Sequence, residues 1–169
     1  MLGIPLQPKL LTILGVVCMG SAALAADSSD LGQIEQAFVS RGIGIQWSHP
    51  RCREVDLFGM YLRVQRQVVV CPKGNQRETL MHEGWHAIQS LCLNGAPLLP
   101  VEDMLRRLSY RDRRELQLLY QPQQWQREGE ARLMATQSLD RYLKSVDDAC
   151  KETEFRTGFS FDSSKSGLP

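Results

Sequence analysis

The chain has 169 residues, enough for one domain with a real core, and 43% of them are hydrophobic. Its 20 Lys+Arg and 19 Asp+Glu give a formal net charge of +1, a balance that gives no support to nucleic-acid binding. No internal repeat and no low-complexity tract is present, which leaves a single globular unit to be explained.

Residues 1–25 have the form of a secretory signal peptide. Lys9 supplies the positive charge, residues 10–20 the apolar run, and Ala23-Leu24-Ala25 the small-x-small pattern before a cut at Ala26. The run is too short for a comfortable membrane span, so no stable membrane insertion of the mature chain is expected. Cys18 raises a lipoprotein reading, which the bulky Val17 before it opposes. The expected location is exported, periplasmic or extracellular. Cys18 leaves with the signal, and Cys52, Cys71, Cys92 and Cys150 remain. Four cysteines in an exported chain suggest two disulfides, with three connectivities open. The preferred pairing is Cys52–Cys71, closing a strand hairpin, and Cys92–Cys150, tying the ends of two helices.

Residues 27–41 read as a first helix, with Leu31, Ile34, Phe38 and Val39 on one side and Ser28 or Ser29 as cap. Residues 43–47 read as a short strand, and His49-Pro50 as a turn. Residues 54–71 alternate and then run apolar, with Gly59 as a turn or bulge between two strands. A helix follows from Asn75, whose pairing with Glu78 is a capping-box-like start, to the stop signal Asn94-Gly95. Met81, Trp85, Ile88 and Cys92 form its apolar stripe. Gly84 is its one poor helix former, either allowing a close approach or simply tolerated. Residues 101–120 read as one or two helices, broken near residues 109–112. The basic cluster Arg106-Arg107 and 111–114 reads as a solvated helical face rather than a patch that steers acidic partners. A long helix is expected from Pro122 to Cys150, with Pro in its first turn. Residues 153–169 read as a polar, disordered tail. The expected fold class is therefore α+β: a small antiparallel sheet followed by a mainly helical region, residues 26–152.

Within the central helix stands His82-Glu83-Gly84-Trp85-His86, an H-E-x-x-H motif in a chain with only three histidines. Histidines four apart share a helix face, so both imidazoles can reach one metal ion. Glu83 is placed to take a proton from a water held there. The plain alternative is a solvent-facing helix that carries these residues by chance. A catalytic zinc site needs a third protein ligand and an open position. His49 precedes the motif in a Pro turn and reads better as a loop histidine. Glu128 and Glu130 remain, and periodicity separates them. Glu128 projects near the centre of the face marked by Ala131, Ala135, Ser138, Leu139, Tyr142, Leu143, Val146 and Cys150. Glu130 projects roughly 150° away, beside Leu133, Gln137 and Asp140. A carboxylate on an inward face needs a partner, either a metal ion or an arginine.

The motif resembles the zincin metallopeptidases. Glu128-Gly129-Glu130-Ala131, followed by Ala135, looks like the E-x-x-A pattern of several Glu-zincin families, where the first Glu is the third ligand; that position maps onto Glu128. The resemblance covers residues 64–142. It departs in one respect, because no Asp follows Ala131, and the partner that would orient a zinc-bound histidine is left unassigned. The resemblance implies a minimal zincin-like fold with one Zn²⁺ per chain held by His82, His86 and Glu128. It also implies Glu83 as general base and a peptide or protein as substrate. Tyr110, Tyr120 and Tyr142 are open candidates for an oxyanion donor. Specificity would come from the edge strand and from residues 94–102 and 109–112. The rival expectation is a non-catalytic, disulfide-stapled binding protein with a structural or vestigial metal site. A third is a hydrolase of the same fold acting on a non-peptide bond.

Overall fold

The computed structural model describes residues 22–157, with side chains from residue 30 to residue 151. Six helices and a three-stranded sheet make an α+β fold among these residues. Residues 1–21 of the expected signal lie outside them. Residues 22–25 begin the first helix, α1 (Ala22–Val39), which runs unbroken across the expected cut. Ser28 and Ser29 therefore lie inside the helix rather than at its start. Ile34 and Phe38 of α1 are fully buried, whereas Val39 turns out to solvent.

The strands are β1 (Gly44–Gln46), β2 (Gly59–Leu62) and β3 (Gln67–Val70), in the order β1-β3-β2. β2 and β3 form the expected antiparallel hairpin, with Tyr61 opposite Val68. β1 adds to the other side of β3 in parallel, so the sheet as a whole is mixed. The hairpin turns at residues 63–66, where Arg66 takes a positive φ of 50°. Gly59 opens β2 and is not the turn. Val55, Leu57 and Phe58 lie in the approach to β2, and Val55 is 83% exposed; their apolar character misread as strand. β3 is central, and Val68, Val69 and Val70 are all buried, which explains its continuous apolar run.

The central helix α2 (Gln76–Leu91) lies against β3, α1 and two later helices. Asn75 caps it, its Oδ1 accepting from the Glu78 N–H at 3.2 Å. Asn94 and Gly95 end it with φ of 55° and 82°. The Gly95 N–H donates to the Gln89 carbonyl at 2.6 Å. Met81, Trp85 and Ile88 are fully buried, as the stripe requires. Two short helices follow, α3 (Val101–Arg107) and α4 (Tyr110–Leu119), with the break near Ser109 as expected. The basic cluster lies on their surface, partly paired through Arg106–Asp103 and Arg111–Glu115.

The expected long helix is in fact three pieces. A 3₁₀ turn at Pro122–Gln124 leads into α5 (Trp125–Ala135), and α6 (Leu139–Thr157) follows after a break at residues 136–138. Thr136 and Gln137 hydrogen-bond their side chains back to the Leu133 carbonyl. That competition with the helical ladder, which the apolar spacing alone does not reveal, ends α5. α6 runs five residues into the segment expected to be disordered, and residues 158–169 lie outside the described residues.

Two disulfides are present, Cys52–Cys71 and Cys92–Cys150, in the preferred pairing. The first joins a 3₁₀ turn at Pro50–Arg53 to the end of β3. The second joins the end of α2 to α6. Among the described residues no helix is long and apolar enough to cross a membrane.

Gly84 is explained by packing. A Cβ there would overlap the Phe38 ring, so α1 can cross α2 only because residue 84 has no side chain. Gly84→Ala should destabilise by about 1–3 kcal/mol through overpacking, overriding a helix-propensity gain of about 1 kcal/mol. Urea unfolding checks the sign; a stabilised variant would show that α1 moves aside freely.

Candidate metal centre

Three donors converge where α2 meets α5. The Glu128 Oε2 lies 3.2 Å from the His86 Nε2 and 3.7 Å from the His82 Nε2. The two imidazoles stand edge to face, 4.9 Å between ring centres. The donor atoms lie within 4.8 Å of one another and could hold a metal ion. His86 and Glu128 are buried, while His82 keeps a side chain 20% exposed towards the cleft. Helical spacing accounts for the pair on α2, and α5 brings Glu128 across from a position 42 residues further along.

The electrostatics are those of a carboxylate wedged between two imidazoles. Burial pushes the Glu128 carboxyl up, but the His82 and His86 rings outweigh it and hold the group far below the usual carboxylate range. Burial pulls His86 down, yet the Glu128 carboxylate beside it raises the imidazole overall. Glu83 is pushed up by burial, against the two imidazoles, which favour its charged form. A Cβ on Gly59 would lie 3.0 Å from the Glu83 Cγ, so the side chain is tucked beneath the start of β2.

A cleft of about 340 Å³ opens over this group, lined among others by Tyr61, Arg63, His82, Glu83, His86 and Tyr120. A second, of about 750 Å³, runs the other way past Phe58, Thr79, Glu115 and Leu119, and shares His82, Glu83 and Tyr120. β2 lines the first through Gly59, Met60 and Tyr61 and touches the second through Gly59. It is an edge strand with no strand on its outer side among the described residues, and the Tyr61 N–H donates to the Glu83 carboxylate. Residues 109–112 line neither cleft, and of residues 94–102 only Gly95 does.

The other expected site residues divide clearly. His49 caps the 3₁₀ turn, its Nδ1 accepting from the Arg51 N–H, and takes no part. Of the three tyrosines, Tyr110 is 73% exposed, and the buried Tyr142 hydroxyl donates to the Met81 carbonyl at 2.7 Å. Only Tyr120 faces the clefts, where burial raises its phenol.

Glu130 differs from expectation. It is fully buried rather than on an outer face, because it sits against α2 and the segment of residues 98 and 99. Its carboxylate accepts from four N–H groups: Trp85 Nε1 at 2.9 Å, Gln89 Nε2 at 2.7 Å, and the Leu98 and Leu99 amides, each at 2.7 Å. Gln89 is the other residue missed. Its Oε1 lies 2.9 Å from the His86 Nδ1, and the three-residue spacing from His86 was the available signal.

No family model, no curated protein and no solved structure matches this chain.

The His86–Glu128 contact has a definite pH dependence in the metal-free protein. The raised His86 contributes stability fully below its unfolded value of about 6.5, and that stability is lost as pH rises through the folded value. The depressed Glu128 contributes above its unfolded value and loses that only on strong acidification. Wild type should therefore exceed His86→Gln in stability by more at about pH 5.5 than at about pH 8.5. Urea unfolding in chelator checks this; an unchanged gap would refute it.

Proposed function

We propose that this chain is an exported zinc-dependent hydrolase, acting above all on peptide bonds. The observation that carries the reading is the convergence of His82, His86 and Glu128, with Glu83 beside them, on an open cleft. Two imidazoles and one carboxylate are a donor set that suits Zn²⁺ and leaves a position free for water or substrate. His82, His86 and Glu128 would hold the ion. When bound, Zn²⁺ supplies Lewis-acid polarisation of a carbonyl and lowers the pKa of water to about 7.

The remaining work falls to side chains of this chain. Glu83 takes a proton from the attacking water and passes it to the leaving amine. Its burial, which raises its affinity for a proton, suits both halves of that transfer. Tyr120 donates its hydroxyl to the oxyanion. The edge position of β2 supports a peptide substrate, because an extended backbone can add beside a strand that has no neighbour on that side, next to the reacting group. Two disulfides support export to an oxidising compartment. The residue pattern that resembles the Glu-zincins supports the same chemistry.

Glu83→Gln should lower peptide hydrolysis by about 10²–10⁴-fold and leave one Zn²⁺ per chain, read by metal analysis and by turnover of a quenched peptide library. Wild-type turnover in that variant would end the proposal. Tyr120→Phe should lower kcat by about 10²-fold with Zn²⁺ still bound. Full activity in Tyr120→Phe would remove Tyr120 from the chemistry.

A further inference from the structure

Taking His86 as a metal ligand, as proposed above, we propose that Gln89 and Glu130 are positioning residues that present the His86 Nε2 to the ion. A neutral imidazole carries its hydrogen on one nitrogen only, and the other is the one that can bind a metal. What decides between them is the partner of Nδ1.

That partner is the Gln89 side chain, 1% exposed and one turn further along α2. The orientation of its amide is forced. The Gln89 Nε2 lies 3.1 Å from the Arg127 carbonyl oxygen and 2.7 Å from the Glu130 Oε2. The first of these can only accept. The second belongs to a carboxylate whose other three contacts, Trp85 Nε1 and the Leu98 and Leu99 amides, are all N–H donors, so it accepts as well. Turning the amide over would set an oxygen against two oxygens inside the core, an arrangement with no compensating bond. The Gln89 Oε1 must therefore face the His86 Nδ1, 2.9 Å away, and Nδ1 must carry the hydrogen. The ring nitrogen left for the ion is Nε2, which is the one directed at Glu128.

Glu130 keeps Gln89 in this state. Its Oε1 is anchored by the Leu98 and Leu99 amides and its Oε2 by the Trp85 indole, so the carboxylate cannot swing away from the amide it holds. Neither residue touches the converging donor atoms. Both act through His86, and they fill the role for which no Asp follows Ala131.

The test uses the full chain with ¹⁵N-labelled histidine. In metal-free wild type the His86 Nδ1–H should give a signal protected from solvent exchange. In Gln89→Met, close in shape but without an acceptor, that protection should vanish. Zn²⁺ titration should then show binding weakened by about 10–100-fold in Gln89→Met. Should that variant not fold by circular dichroism, Glu130→Gln supplies the same comparison, with Gln89 unsubstituted but no longer held. Absence of the protected Nδ1–H in wild type, or Zn²⁺ affinity unchanged in a folded variant, would overturn the proposal. A wild type that shows the protected hydrogen but binds no Zn²⁺ would instead sink the zinc reading and leave the tautomer assignment standing.

Discussion

Helix α5 buries two carboxylates, and a buried carboxylate is costly unless something answers its charge. The fold answers the two in opposite ways. Glu130 receives four N–H donors and is spent entirely on structure. Among the described residues, no backbone amide forms such a shell around Glu128. It faces the edges of two imidazoles, with the Arg127 guanidinium 3.6 Å from its other oxygen. On the side of the rings, that carboxylate is answered by protons on the imidazoles, as it would be by a cation held among the same atoms. The position of α5 against α2 follows from meeting both demands at once.

α2 is built to receive that pair. His82 and His86 are four apart and turn towards Glu128; Trp85 and Gln89 are also four apart and turn towards Glu130. The second pair is the first displaced by three residues, so the two lie on adjoining strips of one helix. Neighbouring strips of α2 thus separate a structural contact from a chemical one. Met81 and Ile88 continue into the core with Ile34, Phe38, Tyr142 and Val146. Small movements of α2 would disturb all three faces together, which gives the centre a stiff support.

How much of this could be read from the chain depends on how local the cause was. The span of α2 was legible because a cap, a stripe and a left-handed stop all lie within it. Glu128 was legible through Ala131 and Ala135 on its own helix; the residues from Ser138 onward that mark the same face by spacing lie beyond the break. Glu130 was not legible, since its burial comes from Trp85 and Gln89 of α2 and the amides of residues 98 and 99, which no periodicity on α5 reports. The split between α5 and α6 was hidden in polar side chains turning back on their own backbone. The hairpin was misplaced for a similar reason: Val55, Leu57 and Phe58 look like strand residues, yet regular pairing begins at Gly59, after a single bond from the Cys71 N–H to the Phe58 carbonyl. The parallel addition of β1 required knowledge of how α1 folds back, through the Ile43 N–H donating to the Phe38 carbonyl.

The disulfides bracket α2. Cys71 lies a few residues before its first turn, and Cys92 is its last cap. A reduced chain must bring residues 19 and 58 apart in sequence together unaided, against the full entropy of loop closure. Oxidation removes that burden at both ends of the helix that carries the two histidines. Assembly of the donor set is thereby tied to the redox history of the polypeptide.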